Sequence, residues 1–329
     1  MQEAKRFIPK IAYTALAAIA VSASMLTGCA ANEGNTVTIA THDSFVISKE
    51  QVAQFKKETG LTLKVVRAGD AGELTNKLIL TKGTPIADAY FGIDNTFMGK
   101  ATANGVVKSQ SAVDFGDVCF NYDTYWFADR KVAPPTNWLD LTKPEYKNLT
   151  VVENPNTSST GLAFLATTVA QLGEAGSTEF WSAMKDNGVK ITAGWEDAYY
   201  TAFSGSSGKG AYPIVLSYST SPADEVREDG KPQTASLSDL CFRQTEYAGV
   251  LNNAKHPGNA QKVVDYLLSD SFQTGVAESM YVYPQVLYPA GVPDSWSQWG
   301  KAANSTVGAD LNFDTDRQKW LDSFNQIFE

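Results

Sequence analysis

The sequence predicts an α/β protein of two lobes, each a mostly parallel sheet flanked by helices, with two crossing strands as the hinge. Three observations support this fold class. Short apolar segments rich in β-branched residues alternate with amphipathic, helix-like segments, as in doubly wound sheets. About 300 residues follow an N-terminal export signal, which is more than one typical core requires. Strand-like segments near Cys119 and Cys241 mark where the chain leaves the first lobe and returns to it.

The N-terminus has the features of an export signal. Basic residues precede an apolar run that is too short for a stable membrane span, and the run ends in Leu-Thr-Gly-Cys at Cys29. This ending resembles the lipobox of bacterial lipoproteins, in which the cysteine is diacylated and becomes the first residue. We therefore expect a signal peptide over residues 1–28, a lipid-anchored tether over residues 29–36 and an extracytoplasmic location at the cell membrane. A soluble secreted protein with a chance cysteine is the alternative.

The composition disfavours several classes of partner. The formal net charge of −9 at pH 7 disfavours nucleic acids and anionic lipid surfaces, and it is compatible with a cationic ligand. Past the leader the sequence has no internal repeat, no second apolar run of membrane-spanning length and no Cys-x-x-Cys or Cys/His zinc pattern. We therefore expect a monomeric globular protein without a bound metal or cofactor.

Two cysteines remain once Cys29 is assigned to the lipid. Cys119 and Cys241 both lie in strand-like surroundings, and an exported compartment permits a disulfide. We favour a disulfide between them over two separate buried thiols, which is the usual state of cysteine in a protein core.

Three predicted strands of the first lobe end in polar residues. Strands at residues 37–40, 61–66 and 87–91 alternate with helices, the first of which opens with a capping box at Ser48. Ligands of parallel sheets lie beyond the carboxyl ends of the strands, so acidic and amide groups gathered there suit a cation. Turn formation explains the same residues, since Asp and Asn favour turns. The candidates are His42, Asp43, Asp70, Asp94 and Asn95.

The second lobe contains strand-to-helix junctions of a ligand-binding type. The predicted strand at residues 150–153 leads to Ser158 and Ser159 at a helix start, where free N–H groups suit a phosphate or carboxylate. A strand at residues 189–192 is followed by Trp195, beside a glycine that permits close approach of a ligand. Helix capping and core packing are the competing explanations.

A third junction organises the chain. A buried strand ends at Tyr218 and passes through Ser219 and Thr220 to a predicted helix start with Ser221 as its N-cap. A strand that delivers hydroxyls and an aromatic ring to a helix N-terminus is a suitable place to hold a ligand. An ordinary β-to-α connection is the alternative.

The lobe boundaries follow from the two crossings. Residues 37–118 and 240–329 are expected to form the first lobe, and residues 119–239 the second. A hinge with polar junctions on both lobes predicts a cleft that closes over a small molecule. From the second crossing onwards we expect four elements. They are a strand over residues 239–250, a helix over 259–268, an aromatic turn at 280–284 and a helix over 316–328.

In order along residues 37–289, these pieces resemble the extracytoplasmic thiamine-binding proteins of bacterial ABC importers. The specific part is the combination of Gly-Trp at Trp195 with Ser-Tyr-Ser-Thr-Ser-Pro at residues 217–222, because each motif alone is weak. The other matching pieces are residues 41–45, 92–95, 155–161 and 283–284.

The resemblance implies a type II periplasmic-binding-protein fold that closes over thiamine, thiamine monophosphate or thiamine diphosphate. It also implies delivery of the ligand to an ABC permease driven by an ATPase, and no catalysis. Thiamine carries a permanent thiazolium cation, which carboxylates and aromatic faces can hold. The family contacts carried over to this sequence fall on Asp70, Ala71, Ser158, Ser159, Trp195, Tyr218, Ser219, Thr220 and Ser221.

Three positions depart from the family pattern. The family commonly has Tyr at the positions of His42 and Asp224, and Trp at the position of Tyr281. Loss of the ring at Asp224 removes a stacking partner, whereas His42 stays planar and introduces a group that titrates near neutral pH. Tyr281 stays a candidate site residue. These changes leave the class of protein intact and make a different aromatic cation an alternative ligand.

Two rival functions use other residues. A ferric-iron binder of the same fold would need paired tyrosinate oxygens, and Tyr199, Tyr200 and Glu196 supply those residue types. Neighbouring helix positions point about 100° apart, so one tyrosine would normally face the core. A secreted hydrolase would need a histidine base, and the sequence has only His42 and His256, without a recognisable nucleophile motif.

Overall fold

The computed structural model describes residues 33–308 and 310–329. The predicted signal peptide and the first half of the predicted tether, including the expected lipidation residue Cys29, lie outside the described residues. Among the helices of the described chain, none is both long and apolar enough to cross a membrane.

One mixed sheet runs through the molecule. Eight of its strands follow the spatial order β2-β1-β3-β8-β4-β7-β5-β6, and β9 pairs with β4. The strands are β1 (Thr36–Thr41), β2 (Thr62–Arg67), β3 (Ala89–Asp94), β4 (Ser111–Asp123), β5 (Thr150–Glu153), β6 (Lys190–Thr192), β7 (Ile214–Tyr218), β8 (Thr234–Val250) and β9 (Tyr283–Pro284).

The two ends of this sheet are parallel and its centre is antiparallel. Strand β1 pairs in parallel with β2 and β3, and β5 pairs in parallel with β6 and β7. Between these groups β8 runs antiparallel to β3 and β4, and β4 runs antiparallel to β7. The long strands β4 and β8 are the two predicted crossings, so the arrangement is the α/β fold that the sequence predicts.

Helices connect the parallel strands, because a parallel pair needs a crossover connection. The predicted capping box is present: Ser48 accepts a hydrogen bond from the Gln51 N–H, and the Gln51 side chain accepts one from the Ser48 N–H. The helices are α1 (Lys49–Thr59), α2 (Ala71–Leu80), α3 (Met98–Ala103), α4 (Thr124–Arg130), α5 (Ser159–Asp186, with non-helical backbone at Gly173), α6 (Pro257–Leu267), α7 (Asp270–Met280), α8 (Trp296–Trp299) and α9 (Phe313–Phe328).

A disulfide joins the two crossing strands, from Cys119 on β4 to Cys241 on β8. The pairing register between these strands shifts beside Cys119, between Val118 and Phe120. The buried Asp117 of β4 pairs with Arg243 of β8 on the other side of this irregularity. The crossing is therefore tied covalently and by an ion pair where the ladder is least regular.

The C-terminal helix α9 contacts both halves of the chain. Trp181 of α5 packs edge-to-face on Phe324 of α9, with ring centroids 5.0 Å apart. On the other side, the Arg317 guanidinium donates to the Thr96 carbonyl at 3.3 Å, just before α3. The assignment of residues 240–329 to the first lobe therefore stays a prediction, since their last helix also packs on the second.

The structure differs from expectation at the junction after β7. Strand β7 ends at Tyr218 as predicted, but residues Ser221–Ala223 form one turn of 3-10 helix whose N-cap is Thr220, and not a helix capped by Ser221. The Ser221 Oγ instead accepts a hydrogen bond from the Tyr218 N–H at 3.2 Å. A serine side chain that bonds its own local backbone in this way favours a turn over a helix.

Candidate functional site

Two adjoining cavities lie where the carboxyl ends of the parallel strands meet. The inner cavity has a volume of about 40 Å³ and is lined by His42, Ser44, Asp70, Ser159, Thr160, Trp195, Tyr218, Glu246, Met280 and Val282. The outer cavity has a volume of about 130 Å³ and is lined by Asp43, Ser44, Asp70, Glu73, Ala193, Gly194, Trp195, Glu196 and Asp197. The two share Ser44, Asp70 and Trp195, so they form one continuous site between the two parallel groups of strands.

Asp70 links the two sides of this site. It is the N-cap of α2, where its Oδ1 accepts a hydrogen bond from the Ala71 N–H at 2.6 Å. Its Oδ2 accepts a second one from the Trp195 N–H, at 2.9 Å. A Cβ at Gly194 would lie 2.9 Å from the same oxygen, so a larger residue there would crowd the Asp70 carboxyl group. Burial raises the pKa of Asp70, although both backbone N–H groups and the nearby His42 oppose the rise.

Trp195 presents the main aromatic surface. Its ring stacks on Tyr199 with centroids 4.9 Å apart and an interplanar angle of 11°, and it lies 6.2 Å from the Tyr218 ring. Tyr199 reaches this position from a short π-helix, Asp197–Ala202. The indole N–H donates to the Ser217 hydroxyl at 2.9 Å, which fixes the ring orientation.

A buried ion pair lies at the back of the inner cavity. The His42 Nε2 is 3.1 Å from the Glu246 Oε1. Burial alone would lower the pKa of His42, but the Glu246 carboxylate outweighs burial and raises it. Burial alone would raise the pKa of Glu246, but the nearby His42 outweighs burial and lowers it overall. Glu246 is therefore ionised at neutral pH, and it favours the imidazolium form of the His42 side chain that faces it.

Glu246 is the centre of a row of three carboxyl groups on adjacent strands. On one side it is registered with Asp94 of β3, and on the other with Asp114 of β4. Burial raises the pKa of Asp94 to about 7. Asp114 is fully buried and, within the described chain, neither of its carboxyl oxygens has a hydrogen-bond partner. Burial and the neighbouring Glu246 raise the pKa of Asp114 well above its usual range.

Hydrogen bonds among side chains fix the α5 end of the site. The Tyr218 hydroxyl donates to Gln244 at 3.1 Å, and the Gln244 amide donates to the Ser159 hydroxyl at 3.0 Å. On the other side of the helix start, Ser158 pairs with Thr160, which donates to the buried Glu153 carboxyl at 2.8 Å. The hydroxyls at this helix N-terminus are thus already engaged within the protein.

The structure brings some of the predicted residues together and leaves others apart. Those that line a cavity are His42, Asp43, Asp70, Ser159, Trp195 and Tyr218. The rest, all in the described part of the chain, lie outside the lining of both cavities: Ala71, Ser158, Asp94, Asn95, Ser219, Thr220, Ser221 and Tyr281.

Local bonds explain where several of these residues point. Asp94 accepts hydrogen bonds from the Thr96 hydroxyl and the Phe97 N–H, and so closes its own turn. The Asn95 amide exchanges hydrogen bonds with the backbone of β8. Tyr281 stacks on Trp296 at 6.5 Å. Turn chemistry, the alternative weighed from the sequence, therefore accounts for Asp94, whereas Asn95 connects the end of β3 to β8.

Several lining residues were not predicted from the sequence: Ser44, Glu73, Thr160, Glu246, Met280 and Val282. A signal was present for Glu246. Alternate residues of β8 from Phe242 to Val250 are buried, and Gln244 and Glu246 occupy two of these positions. Polar residues on the buried face of a strand are uncommon and point to a special role. Met280 and Val282 carry no such signal, because apolar residues after a helix are ordinary.

Metal ligation does not fit the arrangement. Within residues 33–308 and 310–329, no group of three or more His, Cys, Asp or Glu side chains could hold a metal ion. The carboxyl groups around the cavities bond to backbone N–H groups, hydroxyls and His42 instead. The site combines flat aromatic rings with negative charge, which suits a flat organic cation.

Comparisons with known proteins agree with this chemistry. The family model of the bacterial extracellular solute-binding proteins matches residues 94–304. The thiamine-binding periplasmic protein of Escherichia coli (strain K12) is 27% identical, covering 88% of this chain and 92% of that protein. The corresponding protein of Brucella suis biovar 1 (strain 1330) is 26% identical, covering 90% and 92%.

Solved structures of similar fold include binders of different ligands. A periplasmic thiamin binding protein matches with a TM-score of 0.77 at 23% identity, covering 89% of this chain and 96% of that one. Iron-bound HitA from Pseudomonas aeruginosa matches with a TM-score of 0.68 at 16% identity, covering 89% and 98%. At these identities the likeness establishes the fold alone, and it confirms the predicted two-lobed periplasmic-binding-protein architecture.

Proposed function

Because the chain belongs to the bacterial extracellular solute-binding proteins, we propose that it captures thiamine between its lobes and delivers it to an ABC permease. Family membership makes the protein an extracytoplasmic binding component of a transport system and not an enzyme. The relatives in Escherichia coli and Brucella suis are named as thiamine-binding proteins, which supports the choice of ligand.

The observation that carries the proposal is the pairing of aromatic faces with carboxyl groups around one site. Trp195 and Tyr218 present rings to the inner cavity, and Glu246 and Asp70 present carboxyl groups to it. A thiazolium ring is flat and permanently charged, so it gains from both surfaces once it is desolvated. The aminopyrimidine ring is flat as well and can use a second aromatic face.

Closure of the lobes is part of the proposal. The two cavities hold about 40 and 130 Å³, whereas sites for organic ligands usually measure about 300 Å³ or more. Admission of thiamine therefore requires the lobes to part. The hydrogen bond between the Asp70 carboxylate and the Trp195 N–H joins the two sides and would break on opening. Ligand binding then favours the closed form by its differential affinity.

The remaining features of the proposal concern the cell surface. We propose that Cys29 carries the lipid anchor, that the protein acts as a monomer, and that residues 37–118 and 240–329 form one lobe and 119–239 the other. The closed form would be recognised by the permease, whose ATPase supplies the work of transport.

A ferric-iron site at Tyr199 and Tyr200 receives no support from the geometry. Tyr199 is buried and stacked on Trp195, and the Tyr200 ring is perpendicular to it. Burial raises the pKa of both phenols, with nearby carboxylates adding to the rise. Tyrosinate, the form that binds ferric iron, is therefore disfavoured at both positions.

Titration calorimetry of the purified protein with thiamine and with ferric citrate tests the proposal. We expect saturable one-to-one binding of thiamine and none of ferric iron. Thiamine should also quench the Trp195 fluorescence, and a Trp195→Phe variant identifies that part of the signal among the seven tryptophans. Binding of ferric iron without binding of thiamine would overturn the proposal.

A further inference from the structure

The outer cavity has an unusual concentration of one sign of charge. Of its nine lining residues, five carry carboxyl groups, and no Lys, Arg or His is among them; all nine lie within the described chain. They come from both sides of the cleft and are Asp43, Asp70, Glu73, Glu196 and Asp197.

Two of these carboxylates are held in place by the turn before α2. The Asp43 Oδ1 accepts a hydrogen bond from the Gly69 N–H at 3.1 Å. The Glu73 side chain folds over the same glycine, since a Cβ at Gly69 would lie 1.8 Å from the Glu73 Oε2. Gly69 has a φ of +92°, a conformation that other residues rarely adopt. The first lobe thus holds both charges close to the cavity.

The second lobe contributes Glu196 and Asp197 directly after Trp195. Both side chains are exposed, and Asp197 is the first residue of the π-helix. Because Trp195 lines both cavities, a ligand stacked on its ring has these two carboxylates beside it.

Three cationic side chains near the site already have contacts within the protein. The Arg67 guanidinium donates to the carbonyls of Asp43 and Phe45, behind the first-lobe turn. The Lys77 ammonium donates to the Ala68 carbonyl at 3.3 Å. His42 lines only the inner cavity, where it faces Glu246. None of these three groups lines the outer cavity.

We propose that this charge makes the protein selective for a cationic ligand without a phosphate, so that it takes thiamine in preference to its mono- and diphosphate. This inference rests on the proposed function. A phosphate adds a charge of about −1.5 to −2 at neutral pH. Repulsion between like charges at a binding site opposes association.

Neither cavity favours a phosphate. A phosphate in the outer cavity meets five carboxyl groups, and one in the inner cavity meets those of Glu246 and Asp70 together with His42, whose imidazole is already paired with Glu246. The helix start at Ser158 and Ser159, the predicted phosphate site, has its hydroxyls engaged with Thr160 and Gln244. The buried Glu153 carboxyl also lies directly behind it.

Calorimetric titration with thiamine, thiamine monophosphate and thiamine diphosphate at low ionic strength tests the inference. We expect the monophosphate to bind about tenfold more weakly than thiamine and the diphosphate more weakly still. In a Glu73→Gln, Glu196→Gln, Asp197→Asn variant, thiamine binding should weaken while the gap between the three ligands narrows to about threefold or less. The matched control is Glu179→Gln, Asp186→Asn, Glu228→Gln, which removes three exposed charges elsewhere.

The outcomes separate the inference from the function. Equal affinities for the three ligands in the unmodified protein would overturn the selectivity and leave thiamine binding intact. A gap that persists in the triple variant and equals that of the control would also overturn it, because the outer carboxylates would then not be its source. Failure of thiamine itself to bind would overturn the function and the inference together.

Discussion

The inner and outer cavities carry the same kind of charge in opposite surroundings. In the inner cavity Glu246 is buried, pairs with His42 and stands beside two carboxyl groups whose pKa values burial raises. In the outer cavity Asp43, Glu73, Glu196 and Asp197 are exposed to water. A buried charge acts through a specific partner at short range, whereas exposed charges act together through a field that salt screens. From this difference we infer that the inner cavity would hold a cationic ligand and that the outer carboxylates would determine which ligands enter.

Replacement of Glu246 in the inner cavity is expected to reduce thiamine affinity more than any other change. Glu246→Gln keeps the shape of the side chain and removes the carboxylate that faces the inner cavity, so we expect thiamine affinity to fall about 100-fold. Calorimetry on this variant and on Glu179→Gln, an exposed control, measures the effect. An affinity within about twofold of the unmodified protein would show that the thiazolium lies elsewhere.

A substitution of Asp94 tests whether this carboxyl group of the buried row stays protonated in the folded protein near neutral pH. Burial raises its pKa to about 7 from an ordinary value of 3.8, so the folded protein binds this proton more tightly than the unfolded chain. Stability from this group is therefore lost as the pH rises from about 4 through about 7. The Asp94→Asn variant cannot ionise at this position. Between about pH 5 and about pH 8 its free energy of unfolding should therefore fall by about 2 kcal/mol less than that of the unmodified protein.

Urea unfolding of both proteins at the two pH values measures this difference. Parallel pH profiles for Asp94→Asn and the unmodified protein would contradict it, since they would place the proton on another group. Asp94 closes its own turn outside the cavity lining, so thiamine binding of this variant at the lower pH serves as the check that the site is intact.

The aromatic side of the site has a smaller expected effect. Trp195→Ala removes the ring that stacks on Tyr199, and we expect about a tenfold loss of thiamine affinity from the lost cation–π contact. Trp195→Phe retains a ring and should lose less. If Trp195→Phe and Trp195→Ala bind thiamine equally, the ring does not contact the ligand and the indole N–H to Ser217 is the relevant feature.

The smallest expected effect is the dependence of thiamine affinity on salt, which distinguishes the exposed outer carboxylates from the buried inner ones. An increase from about 0.05 M to about 0.5 M sodium chloride should weaken thiamine binding about threefold, because it screens the exposed outer carboxylates. In the Glu73→Gln, Glu196→Gln, Asp197→Asn variant this dependence should be largely lost. A salt dependence that survives in the variant would assign the long-range attraction to the buried charges instead.

The order of strands and helices was predictable from the sequence because its cause is local. The capping box at Ser48 and the alternation of short strands with amphipathic helices depend on neighbours a few residues apart. The crossing strands at Cys119 and Cys241 were predictable for the same reason. The exact ends of the strands were less predictable. Strand β8 begins at Thr234 and not near residue 239, because its additional residues pair with β4 beyond the register shift.

The site was predictable only in part. The strand ends at His42, Asp70, Trp195 and Tyr218 lie together because parallel strands bring their carboxyl ends to one edge. Glu246 escaped prediction because it lies in the middle of a long antiparallel strand, where no strand end marks it. Asp94 was predicted at the site on the same grounds as Asp70, yet Thr96 and Phe97 use its carboxyl to close the turn.

The amino-acid sequence by itself determined the fold class, the two crossings and the residue types available at each strand end, because patterning and turn chemistry act over short distances. Only the tertiary structure decided which of those residues face one another. The approach of Asp70 to Trp195 and the row formed by Asp94, Glu246 and Asp114 join segments more than 100 residues apart. Burial, which sets the charge of each carboxyl group, exists only once those segments have packed.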